Sequence, residues 1–312
     1  MKLEQLLVVI DPTSHAQPAL QRAALLAHHS GAALELLRIE YQSAFEGNPL
    51  LSHQAQDQAR AALLISLSQE VEVLAQPLRD EGLQVTVQVR WGKPLDQMIL
   101  ARVAELQPDL LLKSAHHHGL LKQLLLSNSC WQLIRHCPVP LWLVQHGEWR
   151  GQNLCAALDP LHEADKPAAL DHQLIACARE LSTRLGLDAH YVHSYAGMPH
   201  SQILEANLLA DYATYATQCA EQHGAALAEV LTPYSIVASH QHLLEGFAEE
   251  VIPRFVAEQH IDLLLIGAIA RGQLDNALIG NTAERVLEAV DCDLLVLKPL
   301  PKDEPQGSET EQ

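Results

Sequence analysis

Asp159 closes a short apolar run, and far downstream the chain reads Gly267-Ala268-Ile269-Ala270-Arg271-Gly272 and then Gly280-Asn281-Thr282 ahead of an amphipathic stretch. Residues of these types suit the binding of an anionic ligand. Glycines let backbone N–H groups approach phosphate oxygens without a Cβ between them, and a helix that follows adds free N–H donors and a positive dipole end. Asn281 and Thr282 would add side-chain donors. Ala270 stands where a third glycine would be most permissive, so alanine there strains or narrows the loop if the position needs positive φ. The steric alternative is that a strand-to-helix turn needs glycine anyway, with Gly267 serving as a strand exit. Asp159 has two readings as well: it hydrogen-bonds a ligand, or its carboxylate caps the turn that Pro160 begins.

These residues have counterparts earlier in the chain. Val-Val-Ile-Asp-Pro at 8–12 returns as Ala-Ala-Leu-Asp-Pro at 156–160, so Asp11 matches Asp159 at an offset of 148. Leu-Leu-Leu-Lys-Ser at 110–114 returns as Leu-Leu-Leu-Ile-Gly at 263–267, and Ser127-Asn128-Ser129 as Gly280-Asn281-Thr282, both offset by 153; Cys137 matches Cys292 at 155. A slowly drifting offset marks two diverged copies of one domain rather than a solenoid of short repeats. In the first copy Ser114, His117 and Ser127 occupy the three glycine positions, beside Asn128, and Asp11 is expected to be kept for structure. The first site therefore reads as degenerate.

The elements that must hold these residues alternate. Gln5–Ile10, Ala33–Tyr41, Leu83–Trp91, Asp109–Lys113 and Val139–Val144 read as strands. Between them, Pro18–His29, about 53–80, Pro94–Leu106 and Leu120–His136 carry helical spacing. The second copy repeats this with strands at Leu154–Leu158, Ala189–Ser194, Ser235–Ser239, Asp262–Ile266 and Asp293–Lys298. Its helices fall at Pro167–Leu185, about 203–230 across Gly224, Ala248–Gln259 and Thr282–Val290. Strict alternation predicts an α/β fold: two tandem doubly wound parallel five-stranded sheets with helices on both faces. Ligands in such sheets bind outside the carboxyl ends of the strands, which is where both glycine-type loops and both aspartates fall. The expected domains are 1–147 and 154–300, with a linker at 148–153 and a polar, acidic, disordered tail at 301–312.

The spacing Gly267-x2-Ala270-x9-Gly280-Asn-Thr resembles the Gly-x2-Gly-x9-Gly-Ser/Thr nucleotide-binding signature of the universal stress protein family. The strand-end Asp, Gly92-Lys93-Pro94 and the element order resemble that family too, and the two copies resemble its tandem branch. The resemblance implies the adenine nucleotide alpha hydrolase-like fold, with adenine and ribose near the first strand's Asp and phosphates on the glycine loop. It also implies pairing of the copies through their last strands, here Val139–Val144 with Asp293–Lys298, as a pseudo-dimer within one chain. ATP or another adenine nucleotide is the cofactor it suggests, bound by Asp159, Gly267, Ala270, Gly272, Gly280, Asn281 and Thr282. A role in surviving starvation, oxidants or DNA damage follows from the same likeness.

Composition bounds the alternatives. With 312 residues, 48% apolar and only 4% aromatic, the chain must build its cores from Leu, Ala, Val and Ile. A formal charge of −18 opposes attraction to nucleic acid or anionic lipid. No run of apolar residues is long enough to span a bilayer, and the N-terminus lacks a signal-peptide pattern, so the cytoplasm is expected. Six cysteines without a Cys-x-x-Cys pair read as core thiols. His116-His117-His118 and the pair His240 and His242 lack metal-ligand spacing. Neither a Gly-x-Ser-x-Gly nor a Walker-type motif is present, and Ser127-Asn128-Ser129-Cys130 resembles a nucleophile cluster only superficially. The expected protein is thus a non-enzymatic binder of a small ligand, able to form a homodimer of whole chains. Two alternatives stay open: an apolar cavity for a lipid-like metabolite, and a scaffold that works through protein partners.

Overall fold

The computed structural model describes residues 2–45, 52–115, 126–145, 149–161, 169–197, 212–268 and 280–299. In the first copy, strands β1 (Gln5–Val9), β2 (Ala33–Glu40), β3 (Val85–Trp91), β4 (Leu110–Ser114) and β5 (Leu141–Val144) alternate with helices α1 (Pro18–Ser30), α2 (His53–Asp80), α3 (Leu95–Leu106) and α4 (Asn128–His136). The second copy contributes β6 (Asn153–Leu158), β7 (Asp188–Tyr195), β8 (Gln241–Glu245), β9 (Leu263–Gly267) and β10 (Asp293–Leu297), with α5 (Ala169–Leu185), α6 (Tyr212–Leu231), α7 (Ala248–Glu258) and α8 (Asn281–Ala289). The ten strands among the described residues form one sheet in the order β3-β2-β1-β4-β5-β10-β9-β6-β7-β8. Within each copy the ladders are parallel, while β5 and β10 meet antiparallel, Trp142 opposite Leu295. The two last strands join the copies, as the resemblance implied.

Burial on both faces explains why β1, β4, β9 and β10 are nearly continuous apolar runs. Leu6, Val8, Leu110 and Leu112 pack under α1, α2, α5 and α6, and Leu7, Leu111, Leu143 and Leu264 under α3, α4, α7 and α8. Each helical layer thus draws helices from both copies. Asp109 and Asp262 are matched devices below the sheet: Asp109 accepts the N–H groups of Glu4 and Gln5, and Asp262 those of Arg150, Gln152 and Asn153. They fix the starts of β1 and β6. No helix among the described residues is long and apolar enough to cross a membrane.

One expectation is corrected. The strand expected at Ser235–Ser239 is not there: Thr232–Tyr234 and Ala238–His240 are single 3-10 turns, Ser235 is left-handed, and the edge strand is Gln241–Glu245. Ile236 and Val237 gave the segment its strand-like look, yet Val237 is exposed. The true strand is chosen by its partner, since Gln241 to Glu245 pair in register with Tyr191 to Tyr195. Gly224 does not interrupt α6, which runs unbroken over Tyr212–Leu231.

The new edge carries a histidine face. His190 Nδ1 lies 3.0 Å from His242 Nε2, and His240 Nε2 lies 3.3 Å from Asp188 Oδ1. The His242 ring also packs 4.7 Å from Phe255 of α7. Among the described residues no group of three such side chains is arranged to hold a metal ion. Burial, with His190 and His240 adding charge repulsion, pushes His242 down to about 4, and burial pushes His190 down as well. A histidine whose folded-state value lies below its unfolded one, about 6.5, binds fewer protons folded than unfolded. Its contribution is intact above that unfolded value and is lost as the pH falls toward 4. Urea midpoints measured across this window should fall with acidification in the wild type and fall less in His242→Gln.

Candidate functional site

A cleft of about 380 Å³ opens at the carboxyl ends of β6, β7 and β9. It brings together Asp159, Gly267, Gly280 and Thr282 from the predicted set, although Asp159 and Gly280 are far apart in sequence. Asn281 is the first residue of α8 and is exposed rather than on the cleft wall. Ala270, Gly272 and His117 lie outside the described residues.

The start of α8 supplies the donors. Its N-cap is Gly280, at φ −61° and ψ 138°, which has no side chain to cap the helix. Among the described residues no capping side chain claims the first backbone N–H groups of the helix at the cleft. Together with the helix dipole they favour a negatively charged group there. Across the cleft the Asp159 backbone N–H donates to Asp171 Oδ1 at 3.2 Å. Glu249, on α7, accepts from Arg285 of α8 at 3.0 Å. The described lining includes neither Lys nor Arg, and Ile252, Ile266 and Val286 make one wall apolar.

Gly267 is held by sterics. A Cβ there would stand 2.7 Å from Cδ2 of Leu170 and 3.2 Å from its Cγ, and Leu170 is fully buried on α5. Gly267→Ala should cost roughly 1–3 kcal/mol, the usual range for overpacking, read as a lower urea midpoint. The glycine that borders the cleft is also the one that lets α5 seat on β9.

Sequence reasoning missed His193, which lines the same cleft and is almost fully buried. Its Nδ1 lies 3.1 Å from the Leu158 carbonyl, and only a protonated nitrogen can bond to a carbonyl. Nε2 then accepts from His223 Nδ1 at 2.8 Å. Burial pushes His193 down from its ordinary value against the pull of that carbonyl. No sequence spacing pointed to it: the lateral register of β7 on β6 brings His193 opposite Leu158, the residue before Asp159.

The first copy is built differently at Asp11 and Ser127. Asp11 Oδ1 accepts the N–H and hydroxyl of Thr13, both at 2.8 Å, and Gln17 bridges the Asp11 backbone N–H and carbonyl. That carboxylate oxygen shapes the turn. Ser114 is buried, and Ser127 caps α4 by accepting from Cys130 N–H, where the second copy has Gly280 with no side chain to do so. Asn128 is simply the first residue of α4. Lys113 and Cys130 stand where the second copy has Ile266 and Ala283.

The sequence model of the universal stress protein family matches the chain twice, over residues 2–145 and 155–298. Universal stress protein E of Photorhabdus laumondii is 29% identical over 301 residues, covering 95% of each chain. Universal stress protein E of Escherichia coli K12 is 28% identical over 298 residues, covering 95% of this chain and 94% of its own. A crystal structure titled as a putative universal stress protein from Pseudomonas aeruginosa UCBPP-PA14 superposes with a TM-score of 0.73 at 28% identity, covering 96% of this chain and 94% of that one. A universal stress protein from Archaeoglobus fulgidus shares the fold at 14% identity, with a TM-score of 0.62 over 94% of this chain and 98% of that one.

Proposed function

The chain belongs to the universal stress protein family, with two copies of the family's domain, and on that premise we propose that it is a cytoplasmic stress-response protein, without catalytic turnover, whose second copy binds an adenine nucleotide such as ATP. The observation that carries this reading is the convergence of Asp159, Gly267, Gly280 and Thr282 on one cleft at the uncapped start of α8. Phosphate oxygens would accept from the first N–H groups of that helix, and Thr282 would add a hydroxyl donor. Asp159 at the opposite wall would accept from ligand hydroxyl or amino groups. The first copy serves as a structural partner, and a dimer of whole chains is part of the proposal.

A second reading rests on the described cleft wall. It carries Asp159 and Glu249, no Lys or Arg, and an apolar side formed by Ile252, Ile266 and Val286. These features favour an amphiphilic, lipid-like metabolite whose polar head meets α8 and whose apolar body covers that side.

One experiment separates the two. The full chain is denatured fresh from purification and the released small molecules are identified by mass spectrometry for nucleotides and lipids together. Stoichiometric adenine nucleotide supports the first reading and a lipid-like compound the second. No released compound, together with no thermal stabilisation by added ATP, overturns both and leaves a scaffold that acts through protein partners.

A further inference from the structure

The first copy places two nucleophiles of different elements against each other. Lys113, at the end of β4, is only 4% exposed, and its Nζ donates to the Ser114 carbonyl at 2.9 Å and to Cys130 Sγ at 3.5 Å. Among the described residues this ammonium meets no carboxylate. Cys130 is fully buried in the first turn of α4 and accepts a second hydrogen bond from Ser127 Oγ at 3.2 Å. The sulfur is thus fixed from two sides, with a lysine nitrogen close to van der Waals contact. The other four buried cysteines are Cys137, Cys155, Cys177 and Cys292. Among the described residues no lysine donates to the sulfur of Cys137, Cys155 or Cys292.

We propose that Lys113 and Cys130 form a reversible covalent cross-link when the protein meets a peroxide. In the first step Cys130 Sγ–H and hydrogen peroxide give Sγ–OH and water: sulfur is oxidised, and the peroxide O–O bond is broken and reduced. In the second step the Lys113 nitrogen attacks Sγ, an S–N bond forms, the S–O bond breaks and the hydroxyl leaves as water. The ammonium gives up two protons, one to that water and one to solvent. The product lacks two hydrogens relative to the reduced pair. Burial slows entry of the peroxide, and the adjacent amine intercepts the sulfenic acid before a second oxidant reaches it. The bond would join residues 17 positions apart, closing the connection from β4 to α4. The inference does not depend on nucleotide binding.

The test treats the folded full chain with hydrogen peroxide, then denatures it, alkylates it and digests it with trypsin. The expected result is a joint loss of cleavage after Lys113 and of alkylation at Cys130, with a linked peptide two hydrogens lighter than its separate parts. Dithiothreitol should restore both signals. A linked peptide that retains one added oxygen, an N–O–S bridge, consumes a second equivalent of peroxide and overturns the direct S–N bond. Lys113→Met and Lys113→Arg should abolish the link, and Lys113→Arg keeps the buried cation should the methionine variant fail to fold. The proposal is overturned if the wild type keeps full cleavage after Lys113 while Cys130 is alkylated normally or carries two or more oxygens. It is equally overturned if Lys113→Arg yields the same linked peptide.

Discussion

Asp293→Ala should lower the stability of the whole chain by about 3–5 kcal/mol, the cost of leaving a buried charge without its partner. Asp293 stands at the start of β10 in the second copy and accepts from Arg22 Nε of α1 in the first copy at 3.0 Å. Trp142 Nε1 donates to the same oxygen at 3.1 Å, and the Gln145 backbone N–H donates to the other at 2.9 Å. Both partners of the ion pair are buried, and Arg22 also lies 4.4 Å from the Trp149 ring centroid. Burial pushes the Asp293 carboxyl up from its ordinary value, against Arg22, the Gln145 N–H and the Trp142 indole, which pull it down. The charge is therefore held at a cost. Removing the carboxylate strands the guanidinium and two N–H donors, each needing a partner that the interior does not offer. The check is urea denaturation with a double-mutant cycle. Arg22→Leu combined with Asp293→Leu should cost less than Asp293→Ala alone, because no unpaired charge remains inside. An equal or larger cost for the double variant would show that packing, not the stranded charge, sets the penalty.

This ion pair was invisible in the sequence for a physical reason. Arg22 and Asp293 sit on ordinary helix and strand positions 271 residues apart, and only the antiparallel meeting of β5 and β10 brings them together. The parallel order inside each copy was readable because β1, β4 and β9 are apolar runs between helices of regular period. The drifting offsets located matched strands without any knowledge of contacts. Pattern failed at β8: the apolar Ile236 and Val237 lie between two 3-10 turns, and the real strand contains Gln241, His242 and Glu245. An edge strand buries little, so its partner strand decides its place more than its own composition does. At the candidate site, Asp159, Gly267, Gly280 and Thr282 were legible from spacing, whereas His193 was not, since it enters from β7 by lateral register. Lys113 appeared only as a substituted letter in a repeated apolar run. Its contact with Cys130 depends on where α4 packs, which no local pattern encodes.

Gly280→Asp should leave the fold intact and remove affinity for phosphate-bearing ligands. A Cβ at Gly280 meets nothing within 4 Å, and the residue sits at φ −61°, which any side chain accepts. Aspartate is among the favoured N-cap residues and exceeds glycine there by a few tenths of a kcal/mol, so α8 should be as stable as before or slightly more so. If the second copy binds a nucleotide as proposed, the carboxylate that caps the helix would take an N–H group its phosphate uses and would place a negative charge where that phosphate lies. Losing one or two charge-assisted hydrogen bonds, each worth about 1.5–3 kcal/mol, predicts a fall in ATP affinity of about 100-fold or more by titration calorimetry on the full chain. Gly280→Ser separates the two effects, because it caps α8 without charge, as Ser127 caps α4 in the first copy. Its loss should be nearer 10-fold, the share expected for one hydrogen bond. If ATP binds the wild type but binds Gly280→Asp equally tightly, its phosphates do not rest on α8. If an apolar ligand binds both alike, the cleft is used through its Ile252, Ile266 and Val286 wall instead.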